Sequence, residues 1–216
     1  MAPLLLGHRG ARAVRKIPEN TLASFELCLE HGCDGFEFDV RLSADGHAVI
    51  CHDAAIGGKT IEKTASINLA VPTLDDVLRQ FAHRAFLDIE LKVAGLEAST
   101  LSELREHPPQ KGYVVSSFLP AVLTAIRDLD PAIPLGVLCE TRGQLRRWRE
   151  MAAEWVIPHF KLVDAELVEA VHAAGKRVMV WTVNRSERMC VYKEWGVDAI
   201  ISDETERAAQ VLRAAT

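Results

Sequence analysis

Short apolar segments alternate with amphipathic segments along the whole chain. Segments rich in β-branched and aromatic residues predict strands at residues 4–7, 36–42, 48–51, 85–91, 113–116, 135–139, 155–157, 177–183 and 199–202. Apolar residues spaced three and four apart predict helices at residues 21–31, 74–81, 96–106, 121–129, 144–153, 165–174, 187–195 and 204–214. Strand and helix therefore alternate eight times once the strand at 48–51 is set apart.

The segment at residues 48–51 follows Asp45-Gly46, a dipeptide typical of hairpin turns. We expect it to pair with the preceding strand as a short hairpin extension after strand 2. The remaining βα units predict a TIM-type (β/α)8 barrel, with residues 1–216 forming a single domain. A doubly wound open sheet is the alternative that periodicity alone leaves open, although no G-x-G-x-x-G turn supports a dinucleotide site.

Two carboxylates share one face of the second predicted strand. The period of two places Glu37 and Asp39 on the face opposite Phe36 and Phe38. Buried carboxylates repel each other and are costly to desolvate unless positive charge compensates them. A divalent cation is the simplest compensation, although a half-exposed strand with an ordinary polar face would carry the same pattern.

The strand at residues 85–91 repeats this arrangement, because Asp88, Glu90 and Lys92 share one of its faces. Carboxylates at matching height on adjacent strands can surround one ion. Donor sets made only of oxygen suit Mg²⁺ or Ca²⁺ better than zinc or copper. An internal ion pair between Asp88 and Lys92, without any chemistry, is the alternative.

Two histidines directly follow predicted strands. His8 comes after residues 4–7 and His52 after residues 48–51, so in a barrel both lie at the C-terminal mouth, where active sites are built. Two imidazoles can act as base and acid on opposite sides of a reacting centre, because each changes charge near neutral pH. One such histidine is more often structural, but two beside a carboxylate cluster favour catalysis.

Arg9 and Lys92 supply positive charge near these groups. A planar guanidinium can hold two phosphate oxygens at once, and a lysine adds a point charge. A cation, an arginine and a lysine together therefore predict an anion site. A purely structural ion pair between Arg9 and Glu19 is the alternative.

Composition narrows the functional class. The chain of 216 residues is 49% hydrophobic and has a net charge of −5, which argues against binding to nucleic acid or to anionic membranes. The odd number of cysteines, five without a C-x-x-C pair, favours free thiols in a reducing compartment, and we expect a cytoplasmic protein. We expect neither a signal peptide nor membrane insertion. The sequence makes no prediction of oligomeric state.

An ordered set of short motifs spans nearly the entire chain. The motifs are His8-Arg9-Gly10, Pro18-Glu19-Asn20-Thr21, Glu37-Phe38-Asp39-Val40, His52-Asp53, Pro72-Thr73-Leu74, Glu90-Leu91-Lys92, Trp181-Thr182-Val183-Asn184 and the segment from Gly196 to Asp203. In this order they resemble the glycerophosphodiester phosphodiesterase family. The resemblance implies a (β/α)8 barrel that hydrolyses small glycerophosphodiesters to glycerol 3-phosphate and an alcohol.

The resemblance also implies a role for each matching residue. It implies that one divalent cation, Mg²⁺ or Ca²⁺, is held by Glu37, Asp39 and Glu90, and that the acid/base pair is His8 and His52. It implies that the phosphate is bound by Arg9 and Lys92. It also implies that the site is further lined by Glu19 and Asn20, with Trp181 at the glycerol end. Which histidine is the base, and whether water or a glycerol hydroxyl attacks phosphorus, stay open at this point.

The sequence departs from the family pattern in two places. The segment at residues 54–71 is short and lacks the usual Leu-x-Arg-Thr-Thr-x-Gly stretch, which leaves the choice of alcohol open. Ser202-Asp203-Glu204 replaces the usual Thr-Asp followed by proline, and we attach no functional consequence to this difference. Two alternative functions remain: a phosphodiesterase acting on lysophospholipids or phosphoinositides, and a non-catalytic barrel that binds metal and phosphate.

Overall fold

The computed structural model describes residues 2–213. Strands are numbered in chain order. Their bounds are β1 Leu4–His8, β2 Gly35–Leu42, β3 Ala48–Ile50, β4 Ala55–Ile56, β5 Lys59–Thr60, β6 Phe86–Leu91, β7 Tyr113–Ser117, β8 Leu135–Cys139, β9 Trp155–Pro158, β10 Arg177–Val180 and β11 Ala199–Ser202. The helices are α1 Leu22–Glu30, α2 Leu74–Phe81, α3 Glu97–Glu106, α4 Pro120–Leu129, α5 Arg142–Leu145, α6 Ala165–Ala173, α7 Ser186–Glu194 and α8 Thr205–Arg213.

Eight parallel strands close into a barrel. Their order around the barrel is β1, β11, β10, β9, β8, β7, β6 and β2, and β2 pairs again with β1. The closure excludes the open sheet, and the predicted TIM-type barrel is confirmed. Helices separate consecutive barrel strands, and two of these helices begin with recognisable start signals. Thr73 and Asp76 form a capping box on α2, and Pro120 is the first residue of α4.

The register of β2 against its neighbours aligns the acidic residues. Asp39 lies opposite Glu90, and Glu37 lies opposite both Asp88 on β6 and His8 on β1. Because side chains alternate with a period of two, all these groups point to the inside of the barrel. The expected matching height of the carboxylates is therefore confirmed.

The barrel interior has two unlike halves. Apolar side chains fill the side of β7 to β11, whereas β2 and β6 contribute the carboxylates. The apolar interior cluster consists of Leu6, Phe86, Val114, Leu138, Trp155, Ile157, Met179, Ala199 and Ile201. A separate, larger core packs the outside of the sheet against the helices, with Phe25 stacked on Phe36 at 4.2 Å between ring centroids. The outer core holds the strands, so the interior is free to carry polar groups.

The hairpin extension forms as predicted and carries further structure. β3 pairs antiparallel with β2, matching Val40 with Ile50. The following segment folds into a second hairpin, β4 with β5, and into single 3-10 turns at Ile61–Lys63 and Ser66–Asn68. This segment lies next to His52 and forms one side of the barrel mouth.

Two predicted elements were wrong in extent. The helix expected at residues 144–153 is replaced by α5 and a 3-10 turn at Trp148–Glu150. A capping box between Thr141 and Gln144 starts α5 earlier, and the chain then leaves the helix to bury Trp148. The strand expected at 177–183 ends at Val180, after which Trp181 makes one isolated bridge to His159.

The last residue of the helix predicted at 204–214 lies outside the described residues. Across residues 2–213, every helix is too short or too polar to span a bilayer. The prediction of a single domain at residues 1–216 stays a prediction.

Candidate active site

A pocket of about 240 Å³ opens at the C-terminal mouth of the barrel. Its lining residues are His8, Arg9, Glu37, His52, Glu90, Lys92, Phe118, Leu138, Glu140, Trp181 and Ile201. The pocket therefore contains both histidines, both basic residues and the aromatic residue expected from the sequence. Asp39, Asn20 and Glu19 lie behind this lining: Asp39 and Asn20 are buried, and Glu19 lines a neighbouring cleft that also includes His52.

Glu37, Asp39 and Glu90 converge within the barrel. One carboxylate oxygen from each lies within 4.8 Å of the other two, and all three residues are buried. Burial and the neighbouring carboxylates raise the pKa of Glu37 well above its ordinary value and the pKa of Glu90 to about 7. Burial alone would also raise the pKa of Asp39, but Lys92 and Arg9 lower it. Three buried acids that cannot all ionise together form a strong attractive centre for a cation.

The donor set fits a hard divalent cation. Every donor is a carboxylate oxygen, the type that Mg²⁺ and Ca²⁺ prefer. Oε1 of Glu37 is buried and has no hydrogen-bond partner among the described residues, as expected for an oxygen that a metal would occupy. Asp88 lies outside this set of three: its Oδ1 accepts a hydrogen bond from the Ser116 hydroxyl at 2.6 Å, and its Oδ2 is also buried without a partner among the described residues.

Lys92 and Arg9 border the carboxylates. Nζ of Lys92 lies 2.7 Å from Glu90 and 3.2 Å from Asp39, and Nε of Arg9 lies 3.2 Å from Asp39. Nη1 of Arg9 donates to Glu19 at 2.7 Å. Arg9 thus forms the ion pair with Glu19 that was the alternative and also lines the pocket, whereas its contact with phosphate stays a prediction. Lys92 forms its ion pairs with Glu90 and Asp39 rather than with Asp88.

The loop after β1 has a left-handed backbone at two site residues. Arg9 has φ of 54° and Asn20 has φ of 58°, a region that side chains other than glycine rarely adopt. The twist directs the backbone N–H of Arg9 to Glu37 at 3.1 Å, and the Asn20 amide donates to Asp39 at 2.8 Å. Gly10 has φ of 83°, and a Cβ there would meet Ser24 at 2.5 Å. The loop thus combines backbone strain with fixed contacts to two metal-ligand candidates.

His8 belongs to a half-buried hydrogen-bond network. Its Nδ1 lies 2.7 Å from Oδ1 of Asp203, and its Nε2 lies 3.9 Å from Glu37. The Asn184 amide donates to Asp203 at 2.7 Å, and Arg12 donates to it at 3.2 Å. Although burial opposes it, these partners hold the pKa of Asp203 well below its usual range. Asp203 therefore fixes the imidazole of His8 with Nε2 facing the carboxylates.

His52 lies on the hairpin side of the mouth. Its Nδ1 is 2.7 Å from Oδ1 of the adjacent Asp53, and its backbone carbonyl accepts a hydrogen bond from Arg41 at 2.8 Å. The two histidines thus approach the pocket from different elements, β1 and the segment after β3. An acid/base pair needs this separation, because proton removal and proton donation occur at different atoms.

Trp181 forms part of an apolar wall opposite the carboxylates. Its indole N–H donates to the carbonyl of Ile157 at 2.9 Å, which fixes the ring. Phe118 packs edge-on against Trp181, with centroids 5.6 Å apart, and Leu138 and Ile201 complete the wall. The wall can receive the carbon skeleton of a small substrate.

Sequence reasoning missed Asp203, Arg12, Asn184 and Phe118 as contributors to the site. Asp203 directly follows β11 and Phe118 directly follows β7, so both occupy the strand-end positions from which barrel enzymes build their sites. This rule was applied to the histidines and could have been extended to these two. Nothing in the local sequence distinguishes Arg12, whose partners Glu19 and Asp203 are distant along the chain.

A closed parallel barrel with a pocket, buried carboxylates and two imidazoles at its C-terminal mouth has the architecture of a barrel enzyme. The model of the glycerophosphoryl diester phosphodiesterase family matches residues 8–111 and 56–207. The chain therefore belongs to this family. The resemblance and the enzyme class expected from the sequence, a glycerophosphodiester phosphodiesterase, are confirmed.

Individual relatives agree along the whole chain. A probable glycerophosphodiester phosphodiesterase 1 from Mycobacterium tuberculosis is 55% identical, over 90% of this chain and 87% of that protein. A glycerophosphodiester phosphodiesterase from Caldanaerobacter subterraneus is 29% identical over 99% of both. A phosphodiesterase from Oleispira antarctica, solved with the product sn-glycerol-3-phosphate, is 28% identical with a TM-score of 0.86, over 99% of this chain and 98% of that one.

Proposed function

We propose that this chain hydrolyses small glycerophosphodiesters to glycerol 3-phosphate and an alcohol, with a bound divalent cation and a histidine pair. The observation that carries the proposal is the convergence of Glu37, Asp39 and Glu90 beside His8 and His52 in one pocket at the barrel mouth. The product found in the Oleispira relative supports the same substrate class. The alternative of a non-catalytic barrel gives no reason for two histidines with separate carboxylate partners.

Glu37, Asp39 and Glu90 would hold the cation, Mg²⁺ or Ca²⁺. When bound, it supplies positive charge that stabilises a phosphoryl oxygen and acidifies a nearby hydroxyl. Arg9 and Lys92 already border the same carboxylates, so their positive charges face the place where a phosphate would enter. Asn20 and Glu19 act through these groups: Asn20 orients Asp39, and Glu19 orients Arg9.

The two histidines divide the proton transfers. His8, fixed by Asp203, removes a proton through Nε2 from the attacking oxygen of water or of the neighbouring glycerol hydroxyl as the new P–O bond forms. In the second case a water molecule then opens the cyclic phosphate to give glycerol 3-phosphate. His52 donates a proton to the oxygen of the leaving alcohol as the old P–O bond breaks. We assign donation to His52 because its side chain lies at the open side of the mouth, where alcohols of different size can depart. Trp181 packs against the glycerol carbons.

Two further features of the chain belong to the same proposal. The cysteines of the described residues, Cys28, Cys33, Cys51, Cys139 and Cys190, are all free. Free thiols suit a cytoplasmic enzyme. Residues 1–216 act as one domain with a small-molecule substrate and without nucleic acid or membrane insertion.

Chelation tests the metal requirement. EDTA should abolish hydrolysis of glycerophosphocholine, and added Mg²⁺ or Ca²⁺ should restore it. Glu37→Gln removes one donor from the buried cluster and should weaken metal binding in calorimetry by at least 10-fold, in line with losses at ligand shells. The control is Glu62→Gln, which removes the same charge from an exposed glutamate in the segment after β5. Activity indifferent to EDTA, or equal affinities in the two variants, would contradict the assignment.

A further inference from the structure

The pocket has one charged residue that the reaction described so far does not use. Glu140 lines the apolar side together with Phe118, Leu138, Trp181 and Ile201. It directly follows β8, at the strand-end position from which the other functional side chains of this barrel also come. The remaining lining residues of that side carry no charge.

The segment that carries Glu140 is held in place. The Glu140 N–H donates to Oε1 of Gln144 at 2.9 Å, and this oxygen also accepts from the backbone of Thr141 at 3.0 Å. The carbonyl of Cys139 accepts from the backbone of His159 at 2.8 Å. No nitrogen of lysine, arginine or histidine within residues 2–213 lies in ion-pair distance of the Glu140 carboxylate. The carboxylate is therefore fixed at its base and available to accept hydrogen bonds.

A free carboxylate is unfavourable in a pocket that receives a phosphate. Two like charges repel, and the apolar residues beside Glu140 offer no positive charge to compensate it. A binding partner with a donor group would offset this repulsion. The two classes of donor in the proposed substrate are the hydroxyls of glycerol and a cationic or hydroxylated head group.

The shape of the mouth assigns the glycerol to the Glu140 side. His52 borders a second cleft, of about 320 Å³, lined in part by Ile50, Ala55 and Ile56, and a departing alcohol has room there. The catalytic pocket is smaller, about 240 Å³, and Glu140 is the acidic group that lines it together with the apolar wall. A three-carbon skeleton with a hydroxyl at its end matches an apolar wall with one acceptor beside it.

We propose that Glu140 is a specificity-determining residue that accepts a hydrogen bond from the terminal hydroxyl of the glycerol, the one farthest from the phosphate. Phe118 and Trp181 cover the carbon atoms of the same moiety. A diester whose terminal hydroxyl is acylated cannot donate this bond, and the exposed carboxylate of Glu140 then keeps only its hydrogen bonds to water. Glu140 thus selects fully deacylated diesters over lysophospholipids. This inference rests on the proposed function.

Calorimetry tests the hydrogen bond without turnover. Wild type should bind glycerol 3-phosphate about 10- to 100-fold more tightly than propane-1,2-diol phosphate, which lacks only the terminal hydroxyl, because a hydrogen bond to a charged group is lost. Glu140→Ala should bind both ligands equally, and Glu140→Gln, whose amide oxygen still accepts, should retain part of the preference. Affinity for inorganic phosphate should stay equal or rise, since the variant removes negative charge.

Kinetics with matched diesters separate the two candidate donors. In Glu140→Ala, kcat/KM should fall about 10- to 100-fold for glycerophosphocholine and for glycerophosphoinositol alike, with no further fall for the 1-deoxy analogue of glycerophosphocholine. Glu62→Ala, the same change at an exposed site, should leave both values unchanged. A loss confined to the choline substrate, or an undiminished ligand preference in the variant, would overturn the inference. If the proposed function itself is wrong, wild type will show no turnover in the presence of metal. The calorimetric preference does not require turnover, so the two failures can be distinguished.

Discussion

The two sides of the catalytic pocket hold their histidines in different ways. The side chain of His8 is 13% exposed, and its partner Asp203 is 18% exposed and bonded to Asn184 and Arg12. The side chain of His52 is 35% exposed, and its partner Asp53 is 79% exposed. One imidazole is thus fixed by a closed network, whereas the other depends on a single neighbour in contact with solvent.

In the proposed reaction, this difference in how the two histidines are held separates the fixed chemistry from the variable part of the substrate. The part common to all substrates, attack on phosphorus, would take place on the side of the His8 network. The part that varies, departure of the alcohol, would take place on the open side, next to the segment at residues 54–71 where the chain departs from the pattern of its family. Rigid and adaptable functions are therefore carried by different elements.

Removal of either imidazole should have the largest effect. His8→Ala and His52→Ala should each lower kcat for glycerophosphocholine by about two to four orders of magnitude, because each removes a proton-transfer group. Steady-state kinetics with circular dichroism as the folding control measures this. Near-normal turnover in either variant would contradict the catalytic role of that histidine, since its side of the pocket would then hold no catalytic group.

Replacing the carboxylate partners of the two histidines should lower kcat to different extents on the two sides of the pocket. Asp203→Asn should lower kcat about 10- to 100-fold, because the amide cannot hold His8 in the same tautomer and orientation. Asp53→Asn should change kcat less than about 3-fold, because an exposed pair contributes little. The measurement is kcat together with KM for both variants, and Asp203→Glu should recover part of the loss. Equal losses would show that both histidines depend on their partners alike.

Glu103, a carboxylate outside the site, should give the smallest effect, which is on stability, and it serves as a control for activity. Burial, with Asp75 and Glu106 nearby, raises the pKa of Glu103 on α3 to about 7, and its Oε2 lacks a hydrogen-bond partner among the described residues. The folded protein therefore binds this proton more tightly than the unfolded chain, so stability falls as pH rises from the ordinary glutamate pKa towards 7.

Glu103→Gln removes that titration. The variant should be more stable than wild type by about 1 kcal/mol at pH 8, a value reduced for partial solvent screening, and should gain nothing at pH 4. Thermal unfolding at the two pH values measures the difference, and kcat should not change. An equal gain at both pH values would show that packing rather than ionisation is responsible.

Much of the fold follows from local pattern. The strands of the barrel could be predicted because residues buried on both faces leave continuous apolar runs, and the charged exceptions in β2 and β6 stood out against them. The helix at 144–153 was wrong because its start depends on a side-chain cap at Thr141 and its end on burial of Trp148, neither of which periodicity records.

The site was predictable where it uses residues that are unusual for their element. Glu37, Asp39 and Glu90 are acids in buried strands, and His8 and His52 are imidazoles at strand ends. Asp203 was named within a family motif but received no role, because its contact is with a residue at the other end of the chain. Contacts of this kind depend on closure of the barrel, which no local signal encodes.

The hydrogen bond between His8 and Asp203 joins positions 195 apart in sequence, across the seam where β1 meets β11. During synthesis, the first imidazole leaves the ribosome long before the carboxylate that orients it exists. Full turnover should therefore require insertion of the final strand, so the rise of phosphodiester cleavage to its full rate would report closure of the barrel.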